Sequence, residues 1–349
     1  MTVCFFGNYI SDYSRVRVLR KGFQQNNFEV LECHTRKKGF KKYLELYKQH
    51  KKVKNKYDIL LVMMGGQTLV WFAKLISNKK IIFDAFTSLY LTNVEDRKIC
   101  SSKSFKAKYY AWLDKSSCKK ADKILLDTQA QINYFVEKYK LNKNKFIRVF
   151  VGSENDCGLI NKNNNKFSNK FIVHWHGYIV PFYSLETIIK SAKILEKYKD
   201  IEFQIVTRFN SKYENIKNLS EKLNLKNIKF FPETDYQGVF KFINQADICL
   251  GIFGDNKKAQ VVIPNKIYEA VACAKPIITV NHKVLNELFI ENKNIILVNS
   301  KDEKDLANKI LELKNNKELR NKISQNLYKL YQEKLTPQYI VQQIIKIFI

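Results

Sequence analysis

The sequence predicts an α/β protein made of two Rossmann-like domains, with parallel sheets facing each other across a cleft. Three observations predict it. Short apolar, β-branched runs recur along the 349 residues with helical patterns between them. These runs are continuously apolar rather than alternating, as strands covered on both faces should be. A polar run, 155–169, rich in Asn and Lys, divides them six and six. Strand, helix and strand repeated in this way imply parallel sheets joined by right-handed crossovers.

The first six strands are expected at Val3–Tyr9, Phe28–Thr35, Asp58–Met64, Lys80–Phe86, Lys123–Gln129 and Phe146–Gly152. The second six are expected at Phe171–Tyr178, Glu202–Arg208, Ile228–Glu233, Ile248–Phe253, Pro276–Asn281 and Ile295–Ser300. The expected domains are 1–160 and 161–335, followed by an amphipathic helix over 336–349. Pro337 is well suited to begin that helix, because the first helical position leaves its N–H unpaired anyway. All five prolines lie in the second half.

Composition narrows the class. Abundant Ile, Leu, Phe and Tyr exclude a disordered chain. Seven cysteines, widely spaced and without a CxxC pair, read as reduced intracellular thiols rather than a disulfide scaffold or a zinc site. Met1–Phe6 has no basic segment and the apolar run breaks at Gly7-Asn8, so no signal peptide is expected. The most apolar stretch, 59–73, is interrupted by Gly65-Gly66-Gln67-Thr68 and is shorter than the ~20 residues that span a bilayer.

The net charge is +28. A Lys-, Asn- and Ile-rich composition explains part of it, and attraction to an anionic surface is the sharper reading. Residues 1–160 are the more basic half, with 31 basic against 14 acidic residues. Arg36–Lys56 holds ten basic residues and one acid, Glu45. Phe40, Tyr43, Leu44 and Tyr47 keep helical spacing there, with Lys41, Lys42, Lys48, Lys51 and Lys52 around them. Such a helix either packs on a core with a solvated Lys face or lies on an anionic membrane. Lys103, Lys106, Lys108, Tyr109, Tyr110 and Trp112 form a similar patch. No nucleic-acid-binding motif accompanies the charge, so specific nucleic-acid binding is not expected.

In open parallel sheets, ligands gather at the carboxyl ends of the strands. The most informative loop follows the strand ending at Phe253 and leads into Pro264-Asn265-Lys266-Ile267-Tyr268-Glu269-Ala270. Pro264 can open a helix, whose amino end offers amides and partial positive charge to an anion. Lys266 adds a full charge, and Glu269, three residues on, lies near the same face. A cation over a phosphate and a carboxylate over a sugar diol make a nucleotide grip; an ordinary surface Lys–Glu pair has the same spacing. In the first half, Asp84 ends a strand, either orienting a substrate hydroxyl or capping a helix. Gly65-Gly66 is a plausible substrate-facing turn, and Arg15 and Arg17 face either a substrate phosphate or solvent. Five histidines without paired spacing make no metal site. No Gly-rich P-loop occurs.

The segment Pro264–Ile278, with Pro-Asn-Lys-x-x-Glu-Ala at its start and Lys275-Pro276-Ile277-Ile278 at its end, resembles the donor-nucleotide helix of the retaining GT-B glycosyltransferases of family 4 (glycosyl transferases group 1). His176–Pro181 with Ser184–Ala192 is similar to that family's Gly-Arg-x-x-x-x-Lys-Gly segment and following helix. Gln245–Leu250 resembles its Ala-Asp-[apolar] strand. Arg15–Leu19 and Ala121–Leu125 fit more loosely. The resemblance implies retaining, metal-independent transfer of a sugar from a nucleoside diphosphate sugar, UDP- or GDP-linked, with no other cofactor. It implies a donor site in 161–335, an acceptor site in 1–160, and a final helix crossing back to the first domain. By position, Glu269 would bind the ribose hydroxyls, the amides around Asn265 and Ile267 would lie near the diphosphate, and Gly177 would let backbone approach the phosphates.

The pattern also departs from the family. A second family Glu falls at Val261, and the diphosphate-clamping Arg and Lys fall at Tyr178 and Tyr183. Charge balance demands a substitute, with Lys266 the first choice and Arg208 the second; Tyr178, Tyr183 or His176 could each add one hydrogen bond. The absence of Asp-x-Asp agrees with stabilisation of the leaving group by cations and amides. The reading is of a cytoplasmic enzyme of cell-envelope polysaccharide biosynthesis, peripheral on the inner face of the cell membrane, with a glycan or polyprenyl-linked acceptor. Lys266 and Asp84 are its catalytic candidates; Arg15, Gly66, Lys41 and Lys48 are its acceptor- or membrane-facing ones. The alternative is a non-catalytic subunit of the same fold that binds a partner protein, glycan or membrane.

Overall fold

The computed structural model describes residues 1–154 and 169–346. The polar run of 155–168 lies outside them. The chain divides into two compact units, 1–152 with 336–349, and 153–335.

The first unit is one parallel sheet of six strands. They are β1 (Thr2–Gly7), β2 (Glu29–His34), β3 (Ile59–Val62), β4 (Lys80–Asp84), β5 (Lys123–Leu126) and β6 (Phe146–Arg148), in spatial order β2-β1-β3-β4-β5-β6. Its helices are α1 (Ser14–Gln25), α2 (Lys41–Val53), α3 (Val70–Ile76), α4 (Phe105–Lys120) and α5 (Gln129–Tyr139). The second unit repeats the plan with β7 (Phe171–His176), β8 (Ile201–Thr207), β9 (Ile228–Pro232), β10 (Ile248–Leu250), β11 (Ile277–Val280) and β12 (Ile296–Val298). Their order is β12-β11-β10-β7-β8-β9, again all parallel. Its helices are α6 (Leu185–Leu195), α7 (Ser211–Lys222), α8 (Tyr236–Gln245), α9 (Asn265–Ala272), α10 (Glu303–Asn315) and α11 (Lys317–Lys334). The α/β class and all twelve strands are as the sequence predicts. Central strand β3 is buried at every position, which is why it reads as an unbroken apolar run, and β7 is buried throughout with His174 and His176 as its polar members.

In the second sheet the chain starts in the middle at β7, runs outward to β9, then returns to lay β10 on β7's other side. The strand order therefore reverses between β7 and β10, the place where such sheets bind ligands. His176 ends β7 with Gly177 directly after it, and the chain that leaves β10 leads into α9 with Lys266 and Glu269.

α12 (Pro337–Ile345) belongs to the first unit and packs on α1. Thr336 caps it by accepting from the Tyr339 amide, with Pro337 in the first turn. Gly22 permits this contact, since any Cβ there would strike the Pro337 carbonyl and the Val341 side chain. Asn26 Nδ2 donates to the Gln338 carbonyl at 3.0 Å.

Three expected site residues of the first unit have structural work instead. Arg15 and Asp84 form a two-pronged ion pair, Nη2 to Oδ1 at 2.9 Å and Nε to Oδ2 at 3.2 Å, with both side chains inaccessible to solvent. Arg15 Nη1 also donates to the carbonyls of Val149 and Phe150. The pair ties the start of α1 to the end of β4 and to the chain beyond β6, so both side chains are buried and engaged with each other rather than presented for an acceptor, against the expected roles of Arg15 and Asp84. Gly66 is a turn residue: a Cβ would collide with Val62 and with the Met63 carbonyl. Its own carbonyl accepts from Leu69 and Val70 to start α3.

Lys41 and Lys48 are exposed. α2 buries only Leu46 and His50, leaving Phe40, Leu44 and Tyr47 at least half exposed. Phe105, Tyr109 and Trp112 of α4 are likewise exposed, at 51–89%. Tyr43, Trp71, Tyr109 and Trp112 line one cavity, so the outward aromatics of α2, α3 and α4 form a continuous patch. Among the described residues no helix is long and apolar enough to cross a membrane.

Removing one member of a buried ion pair strands the other charge, at a cost of about 3–5 kcal/mol. Asp84→Ala should lower the urea unfolding midpoint of the first unit accordingly, and Lys48→Ala should leave it unchanged.

Candidate functional site

The site is built where β7 and β10 release the chain. After His176 the backbone turns at Gly177, whose φ of +130° suits glycine alone. The Gly177 amide donates to the Val206 carbonyl, and its own carbonyl accepts from Thr207 Oγ1 at 2.8 Å. Past β10, Pro264 is extended and stands just before the helix, so α9 begins at Asn265 rather than at the proline. Ile267 is buried and its amide already donates to the Pro264 carbonyl at 3.0 Å. That corrects the expectation that the Ile267 amide meets a diphosphate.

Lys266 is the unusual residue. It is only 5% exposed, and its ammonium has no hydrogen-bond partner among the described residues. Nζ lies 3.7 Å from the ring centre of Trp175 and 3.6 Å from that of Tyr183. The ring faces attract a cation, but they supply no lone pair. A Cβ on Gly177 would sit 3.3 Å from Nζ, so the absence of a side chain there makes room for the ammonium. Burial pushes the lysine well below its ordinary range, and the neighbouring Glu269 charge opposes that push. Tyr183 thus serves through its ring face. Trp175, held by its Nε1 donating to the Gly251 carbonyl, completes the cage.

Glu269 is 8% exposed, and its Oε2 is 2.8 Å from His176 Nε2. His176 Nδ1 is in turn 3.0 Å from His174 Nε2. The carboxylate is therefore held in a polar chain and not as one half of a surface Lys–Glu pair. The sequence reading missed this chain. Its available signal was His-x-His in a strand, because alternate residues share a face.

Arg208 is engaged elsewhere: Nε donates to Glu233 Oε2 at 2.6 Å, and its guanidinium lies over the Tyr178 ring. The Tyr178 hydroxyl donates to Glu233 Oε1 at 2.8 Å. His176, Gly177, Tyr178, Thr207, Arg208 and Glu233 line a cavity of about 120 Å³ beside the Gly177 turn. With Arg208 neutralised by Glu233, Lys266 is the better candidate for the missing cation. Val261, where the resemblance places a Glu, is buried. Among the described residues no group of three or more His, Cys, Asp and Glu could hold a metal ion.

Lys266 gives the unliganded protein a pH signature. An ordinary lysine titrates near 10.5, and this one lower when folded. Between those values the unfolded chain binds more protons, so stability rises with pH. Lys266→Met keeps the bulk and removes the desolvated charge. We expect the variant to melt at no lower a temperature than wild type at neutral pH, and to lose part of wild type's rise towards pH 10.5; parallel thermal scans across pH check both.

Residues 159–330 match the family model "Glycosyl transferases group 1". An uncharacterized glycosyltransferase of Methanocaldococcus jannaschii is 26% identical over 220 residues, 59% of this chain and 60% of its own length. A second from that organism is 25% identical over 235 residues, 66% of this chain and 59% of its own length. The chain thus spans about 60% of the length of these curated relatives. Among solved structures, Anabaena HepE in complex with UDP aligns over 100% of this chain and 99% of its own, with a TM-score of 0.73 and 14% identity. Sucrose-phosphate synthase of Thermosynechococcus elongatus aligns over 100% and 98%, with a TM-score of 0.76 and 12% identity. S. aureus TarM, in complex with Fondaparinux, alpha-GlcNAc-glycerol and UDP, aligns over 88% and 59%, with a TM-score of 0.67 and 16% identity. The second unit is thus similar to the Glycosyl transferases group 1 family, in a chain with the GT-B fold.

Proposed function

We propose that the protein is a glycosyltransferase that moves a sugar from a nucleoside diphosphate sugar to a glycan or polyprenyl-linked acceptor, with retention of anomeric configuration. The observation that carries the reading is Lys266: a buried ammonium without an acceptor, at the amino end of α9, one turn before Glu269. A diphosphate supplies the lone pairs that Trp175 and Tyr183 cannot, and restores the charged lysine. Glu269 accepts from the ribose hydroxyls. That HepE and TarM are complexed with UDP supports a nucleotide at this site, with UDP or GDP as its carrier.

In this mechanism the acceptor hydroxyl attacks the anomeric carbon on the face the diphosphate leaves. The carbon–oxygen bond to the phosphate breaks, and the departing phosphate oxygen takes the hydroxyl's proton. Lys266 stabilises the charge that develops on the leaving group, the place where fixed charge contributes most. The positive charge comes from the chain itself, so the reaction needs no divalent metal. Residues of the first unit bind the acceptor. The outward aromatic and Lys face of α2, α3 and α4 makes peripheral contact with an anionic membrane, where interfacial Trp and Tyr favour the boundary.

The competing reading, a non-catalytic subunit of the same fold, draws on Val261 and on the engagement of Arg208 by Glu233. Sugar transfer by the purified chain from UDP- or GDP-sugars excludes it.

Calorimetric titration of UDP and GDP tests the site. A hydrogen bond to a charged group contributes about 1.5–3 kcal/mol, so Lys266→Met and Glu269→Ala should each weaken binding by about tenfold or more. Wild-type affinity in both variants, or no nucleotide binding in wild type, overturns the assignment. Vesicle co-sedimentation tests the surface. Phosphatidylglycerol-rich vesicles should bind the protein better than phosphatidylcholine ones. Since each Lys near such a surface contributes about 1 kcal/mol, the Lys41→Glu/Lys48→Glu double variant should lose about tenfold or more.

A further inference from the structure

His174 and His176 stand side by side on one face of β7, rings 5.1 Å apart and 26° from parallel. His174 is inaccessible to solvent and also lies parallel to the Phe242 ring. The chain Glu269 Oε2–His176–His174 has spacings of 2.8 and 3.0 Å. For two neutral rings its hydrogens follow from elimination. An ionised carboxylate only accepts, so His176 must donate from Nε2. A neutral His176 then has a bare Nδ1, so His174 must donate from Nε2. That leaves His174 Nδ1 bare, and this atom has no partner among the described residues. One hydrogen per ring satisfies both short contacts. Burial holds His174 well below the ordinary histidine range, which keeps it neutral.

We infer that His174 is a positioning residue: by donating to His176 it fixes the tautomer that holds Glu269 Oε2, leaving Oε1 for a ribose diol. Oε1 makes no hydrogen bond among the described residues. The inference rests on Glu269 being the ribose ligand. His174 itself touches no ligand and acts two residues inside the strand. It is the class of contact that orients a functional group from behind, as outer partners do for metal-bound histidines.

The experiment compares UDP and GDP with the dideoxy analogue, lacking both ribose hydroxyls, of whichever binds more tightly. Binding is measured by calorimetry to wild type, Glu269→Ala, His174→Phe and His174→Gln. Phe keeps a flat ring against Phe242 and loses the donor; Gln places an N–H where Nε2 stood. Loss of orientation worth about 1 kcal/mol corresponds to about fivefold in affinity. His174→Phe should therefore weaken the ribonucleotide about fivefold and leave the dideoxy analogue unchanged, and His174→Gln should restore wild-type binding. A packing defect weakens both ligands alike, and that result, or no effect, overturns the role of His174. If Glu269→Ala does not discriminate between the two ligands, the ribose reading fails and this inference falls with it. Imidazole nitrogen NMR of the wild-type protein reads the tautomers without any variant: Nε2–H on both rings is expected, and Nδ1–H on His176 overturns the assignment.

Discussion

A buried lysine amine with no hydrogen-bond partner among the described residues is the constraint around which the site of the second unit is arranged. Burying an unpaired charge is costly, and only a group that later meets its counter-charge justifies the expense. Trp175 and Tyr183 offer ring faces, and Gly177 offers empty space. All three lie on β7 or the chain that leaves it. Lys266 lies in α9, on the far side of the point where the strand order reverses. The cage is therefore a product of topology, since the reversal brings two loops together that are about ninety residues apart in sequence.

The architecture was legible because its physical cause is local. A strand buried on both faces is mostly apolar, and β3, β7 and β8 are buried at every position, with only a few polar members such as His174 and Gln204. The helix at Pro337 was equally legible, as proline and its Thr336 cap are nearest neighbours. Pro264 deceived by one residue, since an extended proline that caps a helix and one that starts it differ only in the next turn's geometry.

Much of the site was not legible, because its partners are distant in sequence. Arg15 and Asp84 are separated by 69 positions and His176 and Glu269 by 93. A single sequence shows each as a lone charged or polar group at the end of an element, where catalysis, capping and ion pairing look alike. Gly66 misled for a different reason. A glycine after a strand can admit a ligand or relieve a clash with its own chain, and here Val62 and the Met63 carbonyl fill the space. The spacing placed Lys266 and Glu269 near one helix face, but an ordinary surface Lys–Glu pair has the same spacing. That a histidine pair stands behind the carboxylate follows only from the fold.

The placement of α12 bears on how the chain folds as it is made. This helix closes over α1 through Gly22, yet more than three hundred residues separate the two. The first sheet and the Phe23 side of α1 can pack early on the ribosome, but the Gly22 side of α1 stays uncovered until residues 337–345 have been synthesised. The first unit is therefore completed only after the whole second unit has emerged.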